Sequence, residues 1–86
     1  MPDATDLRIT MYTTTWCGDC RRLKAELRRA GVQFREIDIE LDPSAAQFVR
    51  RVNEGNQSVP TLVLSDGSTM TVPSSRSVIQ RLAELT

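Results

Sequence analysis

Cys17 and Cys20, in the run Trp16-Cys17-Gly18-Asp19-Cys20, are the two cysteines of an 86-residue chain. Two thiols three residues apart can staple a loop, help to hold a metal, or exchange disulfides. As a staple the pair is poor, because closing so short a loop restricts the unfolded chain little. As a zinc site it is incomplete: four ligands are expected, and the chain has no histidine. Disulfide exchange needs only what is present, a thiolate that attacks and a second thiol that resolves the mixed disulfide. Burial as two small core residues is the competing reading.

The elements around the pair decide between these. Residues 7–13 alternate, with Leu7, Ile9 and Met11 on one side and Arg8, Thr10 and Tyr12 on the other, which is a strand pattern. After three threonines and the cysteines, Leu23, Leu27 and Ala30 recur at helical spacing, and Gly31 is a natural stop. The helix therefore begins at or just after Cys17. Residues 33–40 form a second strand with Phe34, Ile37 and Ile39 apolar. Asp42-Pro43 starts a helix with a side-chain cap and proline in its first turn. The face of that helix is Ala45, Phe48, Val49 and Val52, and it ends near residues 53–56. Residues 61–64 and 69–72 make a hairpin around Ser65-Asp66-Gly67-Ser68. Ser74 or Ser75 caps a last helix with Val78, Ile79, Leu82 and Leu85 as its apolar face. Met11 and Met70 read as core fillers. The order β-α-β-α-β-β-α predicts an α/β fold, a four-stranded mixed sheet flanked by three helices on both faces. Its first β-α-β unit has a right-handed crossover. Residues 1–86 are read as a single domain.

Cys17 thus falls where a strand ends and a helix begins. Unpaired N–H groups and the helix dipole there favour thiolate over thiol. Cys20 lies on the same helix face, one turn deeper, about 5–6 Å away. Cys17 is read as the nucleophile and Cys20 as the resolving thiol. Gly18 leaves room for a substrate to approach the sulfur. Asp19 opposes thiolate formation by roughly 1 kcal/mol, partly offset by Arg21 and Arg22, so it modulates the site without controlling it. Trp16 reads equally well as a core or edge aromatic and as part of a docking rim. The five basic residues between Arg21 and Arg29 read as a solvated face ahead of a docking patch.

Composition removes other classes. Eleven basic and eleven acidic residues cancel, and no basic run exceeds two residues, so nucleic acid is not an expected partner. No apolar stretch approaches the roughly 18 residues of a membrane span. The first eight residues are polar and lack the pattern of a signal peptide. The expected location is the cytoplasm, where a permanent disulfide is disfavoured. The expected state is a monomer.

The cysteine pair after strand one, Val59-Pro60-Thr61 some forty residues later, and the element order together resemble the glutaredoxins of the thioredoxin superfamily. Within them the chain is most similar to the mycoredoxins of actinobacteria. The stretches that carry this are Tyr12-Thr13-Thr14-Thr15-Trp16-Cys17-Gly18, Asp38-Ile39-Glu40, Ala46-Gln47-Phe48-Val49, Val52-Asn53, Gly55-Asn56, Ser58-Val59-Pro60-Thr61 and Asp66-Gly67-Ser68-Thr69. The resemblance spans essentially the whole chain. It implies a thioredoxin-like fold with Pro60 cis and across from Cys17. The backbone of Val59 would pair with the cysteinyl part of a bound thiol, and Thr71, Ser74 and Ser75 would flank the groove. It implies no tightly bound cofactor and no metal. The co-substrate would be a low-molecular-weight thiol, reduced upstream by an NADPH-linked flavoprotein reductase, and the substrates would be mixed disulfides of proteins. Two departures matter. Asp19 stands where many glutaredoxins have tyrosine. Thr71-Val72-Pro73-Ser74-Ser75 replaces the Gly-Gly-x-Asp segment of members that use glutathione, which favours mycothiol, a sugar-based thiol. Two other functions share these features: a thioredoxin-like dithiol reductant fed directly by a flavoprotein reductase, and an iron–sulfur carrier or adaptor with a cluster shared between two chains.

Overall fold

A computed structural model describes residues 8–85. Leu7 and the rest of the polar N-terminal segment, residues 1–7, lie outside the described residues. The elements are β1 (Ile9–Thr13), α1 (Gly18–Arg29), β2 (Arg35–Asp38), α2 (Pro43–Val52), β3 (Thr61–Leu64), β4 (Thr69–Thr71) and α3 (Ser75–Glu84). This is the expected order. The sheet runs β2-β1-β3-β4, with β1 parallel to β2 and antiparallel to β3, and β3 antiparallel to β4. Met11, Leu62 and Met70 stand side by side across three strands.

The alternation of β1 divides the interior in two, because successive strand residues face opposite sides of a sheet. Ile9 and Met11 join Leu23 and Leu27 of α1, Leu62 and Leu64 of β3, and Val78 and Leu82 of α3. Tyr12 faces the other way, onto Ile39 and the α2 residues Ala45, Ala46 and Val49. Tyr12 and Phe48 stack there with ring centroids 5.1 Å apart. Full burial of each large apolar side chain contributes about 1.5–3 kcal/mol. The first cluster has eight buried residues against four in the second, two of those alanines, so it carries most of the stabilisation.

The helix starts are set by side chains. Asp42 Oδ1 accepts from the N–H groups of Ser44 and Ala45, with Pro43 following. Of the two serines considered for α3, Ser74 is the cap, its Oγ accepting from Ser77 N–H at 3.1 Å.

Three expectations change. Strand β2 spans four residues, not eight, and Phe34 packs with the first cluster while Ile37 and Ile39 pack with the second. Phe34 and Ile37 are an odd number of residues apart, so an extended chain sends them to opposite faces. Strand β4 ends at Thr71, because Val72 turns out of the sheet with φ +46°. Ile79 is 40% exposed. Val78 and Leu82, four residues apart, already fill the face toward the sheet, and Ile79 is rotated about 100° away. It sits beside Glu26, Arg29 and Ala30 on the α1 edge. Among the described residues no helix is long and apolar enough to cross a membrane.

Candidate active site

Strand β1 ends at Thr13 and three residues deliver the chain to Cys17, which is the N-cap of α1. Both cysteines are free thiols. The cap bond is made by sulfur: the N–H of Cys20 donates to Cys17 Sγ at 3.2 Å. The Cys17 thiol in turn donates to the carbonyl of Val59 at 3.6 Å. Its sulfur is therefore held between the helix start and the loop that precedes β3. The Val59–Pro60 peptide bond is cis. Pro60 is buried, and its carbonyl accepts from Val72 N–H at 2.8 Å, which ties this loop to the end of β4.

Cys20 has no exposed surface, whereas Cys17 keeps 8%. Burial pushes the Cys20 thiol up from 9.0 to about 12. The hydrogen bond with Cys17 adds to that shift, while a backbone hydrogen bond from Thr14 and the charge of Lys24 work against it. Cys20 is thus a protonated thiol at neutral pH, and the more accessible sulfur is Cys17.

Asp19 points away from internal contacts and pairs with Arg22 at 2.7 Å, both side chains largely exposed. A Cβ built on Gly18 meets no atom within 4 Å, so the space beside Cys17 is open. Trp16 is 67% exposed, and its indole N–H donates to Glu40 Oε2 at 3.0 Å. It is an anchored surface ring and not a core aromatic. Under α1, Glu36 Oε2 accepts from Thr13 Oγ1 at 2.9 Å and from Lys24 Nζ at 2.7 Å. Burial raises the Glu36 carboxyl, but the hydrogen bonds from Lys24 and Thr13 outweigh it and leave the group below its ordinary value.

Next to the cis proline a cavity of about 430 Å³ opens between the starts of α1 and α3. Asp19, Arg22, Pro60, Val72, Ser74 and Ser75 are among its walls. Of the three residues read as flanking a groove, Ser74 and Ser75 line this cavity. Thr71 is not in its wall, and the Thr71 hydroxyl donates to Asn53 Oδ1 at 2.6 Å. Val59 presents only its carbonyl to Cys17, its side chain packing with the smaller cluster.

The structural roles of two residues escaped the sequence reading. Asn53, the residue after α2, donates from Nδ2 to Val49 O at 2.8 Å and to Thr61 Oγ1 at 3.1 Å, besides accepting from Thr71. It joins α2 to both strands of the hairpin. Thr61 Oγ1 donates onward to Ser58 O at 2.7 Å, so the chain of bonds ends on the loop carrying Val59. An asparagine closing a helix was the available signal. Val72 is the second, a β-branched residue in the left-handed region, which costs about 1–3 kcal/mol. It precedes Pro73, which disfavours that conformation further through clash with the proline ring.

This arrangement suits exchange at one sulfur: a cysteine at a helix start that is buried but keeps a little exposure, a carbonyl edge opposite, and a fully buried partner thiol one turn on. The comparisons agree. The Glutaredoxin family profile matches residues 9–68. A Mycobacterium tuberculosis protein bearing the glutaredoxin name is 47% identical over 77 residues, 90% of this chain and 92% of its own. Mycoredoxin 1 of Corynebacterium glutamicum is 39% identical over 77 residues, 90% of this chain and 95% of its own. In fold, the crystal structure of a glutaredoxin from Methanosarcina mazei matches with a TM-score of 0.73 at 23% identity, across 88% of this chain and 78% of that one. With its thioredoxin-like α/β fold and its Cys17–Cys20 pair, the chain belongs to the glutaredoxin family of thiol–disulfide oxidoreductases.

Proposed function

We propose that the protein, as one domain over residues 1–86, reduces mixed disulfides between proteins and mycothiol, with Cys17 as nucleophile and Cys20 as resolving thiol. The thiolate of Cys17 attacks the small-thiol sulfur of the mixed disulfide. A new disulfide forms between Cys17 and the small thiol, and the target protein leaves as a thiolate that takes up a proton. A second small thiol attacks the adduct, freeing Cys17 and leaving as the oxidised small-thiol dimer. An NADPH-linked flavoprotein reductase returns that dimer to the thiol. The protein works as a monomer in the cytoplasm.

The observation that carries this reading is the state of Cys20. Attack by Cys20 on the adduct needs its thiolate, and at pH 7 a thiol near 12 is ionised in about one molecule in 10⁵. A second small thiol then reaches the adduct before Cys20 resolves it. The 39% identity to mycoredoxin 1 supports mycothiol as that thiol. So does the replacement of a Gly-Gly-x-Asp segment by Val72-Pro73-Ser74-Ser75 along the cavity wall. In the bound complex Val59 and Pro60 face the cysteinyl part and Ser74 and Ser75 flank the remainder, with Thr71 set behind them on Asn53. Trp16, Gly18 and Asp19 shape the approach to the sulfur.

Turnover of a mycothiol-linked mixed disulfide against a glutathione-linked one tests this. The expected result is a preference for the mycothiol adduct, kept in Cys20→Ser and absent in Cys17→Ser. Reduction of protein disulfides by the dithiol route is lost in both variants. A Cys20→Ser protein inert on small-thiol adducts refutes the scheme. A preference for direct supply of electrons from a flavoprotein reductase makes the chain a dithiol reductant.

A further inference from the structure

Lys24 departs from the other basic residues of α1. Arg21, Arg22, Arg28 and Arg29 are exposed, whereas Lys24 keeps only 18% of its side chain in solvent. Drawing an ammonium out of water costs free energy, and a single ion pair at the edge of a fold offsets little of that cost. The pair is held firmly all the same. Lys24 Nζ lies 2.7 Å from Glu36 Oε2, and the same oxygen accepts from the Thr13 hydroxyl at 2.9 Å. The charge of Arg28 also acts on Glu36. Thr13 is buried, and the backbone of the next residue, Thr14, hydrogen-bonds to Cys20. Lys24 follows Cys20 by four positions, so the two are neighbours on one face of α1, about 5–6 Å apart at their Cβ atoms. The ammonium is thus tethered beside the buried sulfur. Attack by Cys17 on a substrate makes no use of it.

Cys20 is the group that needs it. When Cys20 resolves the adduct, its thiol gives its proton to solvent and its sulfur attacks Cys17 Sγ. The Cys17–Cys20 bond forms, the bond from Cys17 to the small thiol breaks, and the small thiol leaves as a thiolate. Negative charge therefore builds on a sulfur with no exposed surface. A nearby cation counts for more there than it would in water. Burial opposes ionisation of Cys20, and the positive charge of Lys24 favours it. We propose that Lys24 is a positioning residue for the resolving step: its ammonium, one helical turn beyond Cys20 and tethered by Glu36, steadies the negative charge on the attacking sulfur and so sets the share of adducts that end as the Cys17–Cys20 disulfide. The inference rests on Cys17 as nucleophile and Cys20 as resolving thiol, and adds what governs the choice between the two fates of the adduct.

Stopped-flow reaction of the reduced protein with one equivalent of the disulfide of thionitrobenzoate reads both steps. Attack by Cys17 releases one coloured thiolate in a phase that depends on reagent concentration. Attack by Cys20 on the resulting Cys17 adduct releases a second in a phase that does not. In Lys24→Met the ratio of the second rate constant to the first should fall about 3- to 10-fold at neutral pH, the scale of one partly screened charge at this range. Lys24→Arg should keep the ratio of the unsubstituted protein. Glu36→Gln should raise it by about 2-fold or more, because the ammonium is then no longer neutralised. Both substitutions break the same ion pair, so opposite signs mark charge acting on Cys20. Equal slowing in Lys24→Met and Glu36→Gln overturns the proposal, since the pair would then be a structural clasp only. A fall in Lys24→Arg as deep as in Lys24→Met overturns it too. The roles of the cysteines are judged separately: Cys20→Ser should lose the second phase alone, and Cys17→Ser both. If Cys20→Ser keeps the second phase, the resolving role of Cys20 fails, and that of Lys24 fails with it. If the cysteine variants behave as expected and Lys24→Met keeps the ratio, Lys24 alone is refuted.

Discussion

Raising the pH from 8 to 10 should weaken the reduced protein in part through one atom, the sulfur of Cys20. In the unfolded chain this thiol ionises around its ordinary value of 9.0, while in the fold burial holds it near 12. The folded pKa lies above the unfolded one, so the native state keeps a proton that the unfolded chain gives up. The contribution to stability is complete below about pH 9 and is lost as the pH climbs toward 12. At pH 10 the unfolded thiol is nine-tenths ionised and the folded one is not, a difference of roughly 1 kcal/mol relative to pH 8. For a domain of this length that is about 4–8 °C in Tm. The assay is urea unfolding of the reduced protein at both pH values, beside Cys20→Ala. The alanine variant starts less stable but lacks the titrating group, so its fall between pH 8 and 10 should be smaller by that same amount. Equal falls in the two proteins would show that Cys20 is not held as a thiol, and the case for a slow resolving step would go with it.

Other consequences can be measured separately. Asp42→Ala removes the cap of α2 and should cost about 1 kcal/mol in urea unfolding, with no change in turnover. Leu27→Ala, at a completely buried site between α1 and the sheet, should cost about 2–5 kcal/mol, read as the same unfolding free energy. Glu36→Gln should flatten the acid limb of the stability curve. The native carboxyl is depressed, so its contribution is present above the unfolded pKa and is lost as the pH falls through the folded one; denaturation midpoints between pH 3 and 6 report it.

Much of the site was legible because its geometry is local. Leu23 and Leu27 at helical spacing put the helix start at or just after Cys17, and Asp42-Pro43 marked the start of the next one. What was not legible depends on distant partners. Nothing near Val72 in the chain asks for a left-handed backbone; the request comes from Pro60, whose carbonyl takes its N–H. Asn53 was seen as the end of a helix, but its three partners lie on α2, β3 and β4. Ile79 fits the helical period, yet the side that meets the core takes Val78, Leu82 and Leu85 and leaves Ile79 outside. Trp16 was undecidable from sequence, since its fate turns on Glu40, twenty-four residues away.

The division of the interior by β1 has a kinetic side. Cys17 rides on α1, whose leucines belong to the larger cluster, whereas Val59 packs with the smaller one built on two alanines, a valine and an isoleucine. Sub-global opening draws on the regions with least buried apolar surface. Amide hydrogens of α2 should therefore exchange with solvent sooner than those of α1. An opening confined to α2 would strip Val59 of its packing and leave Cys17 on α1, so it would separate the two halves of the site.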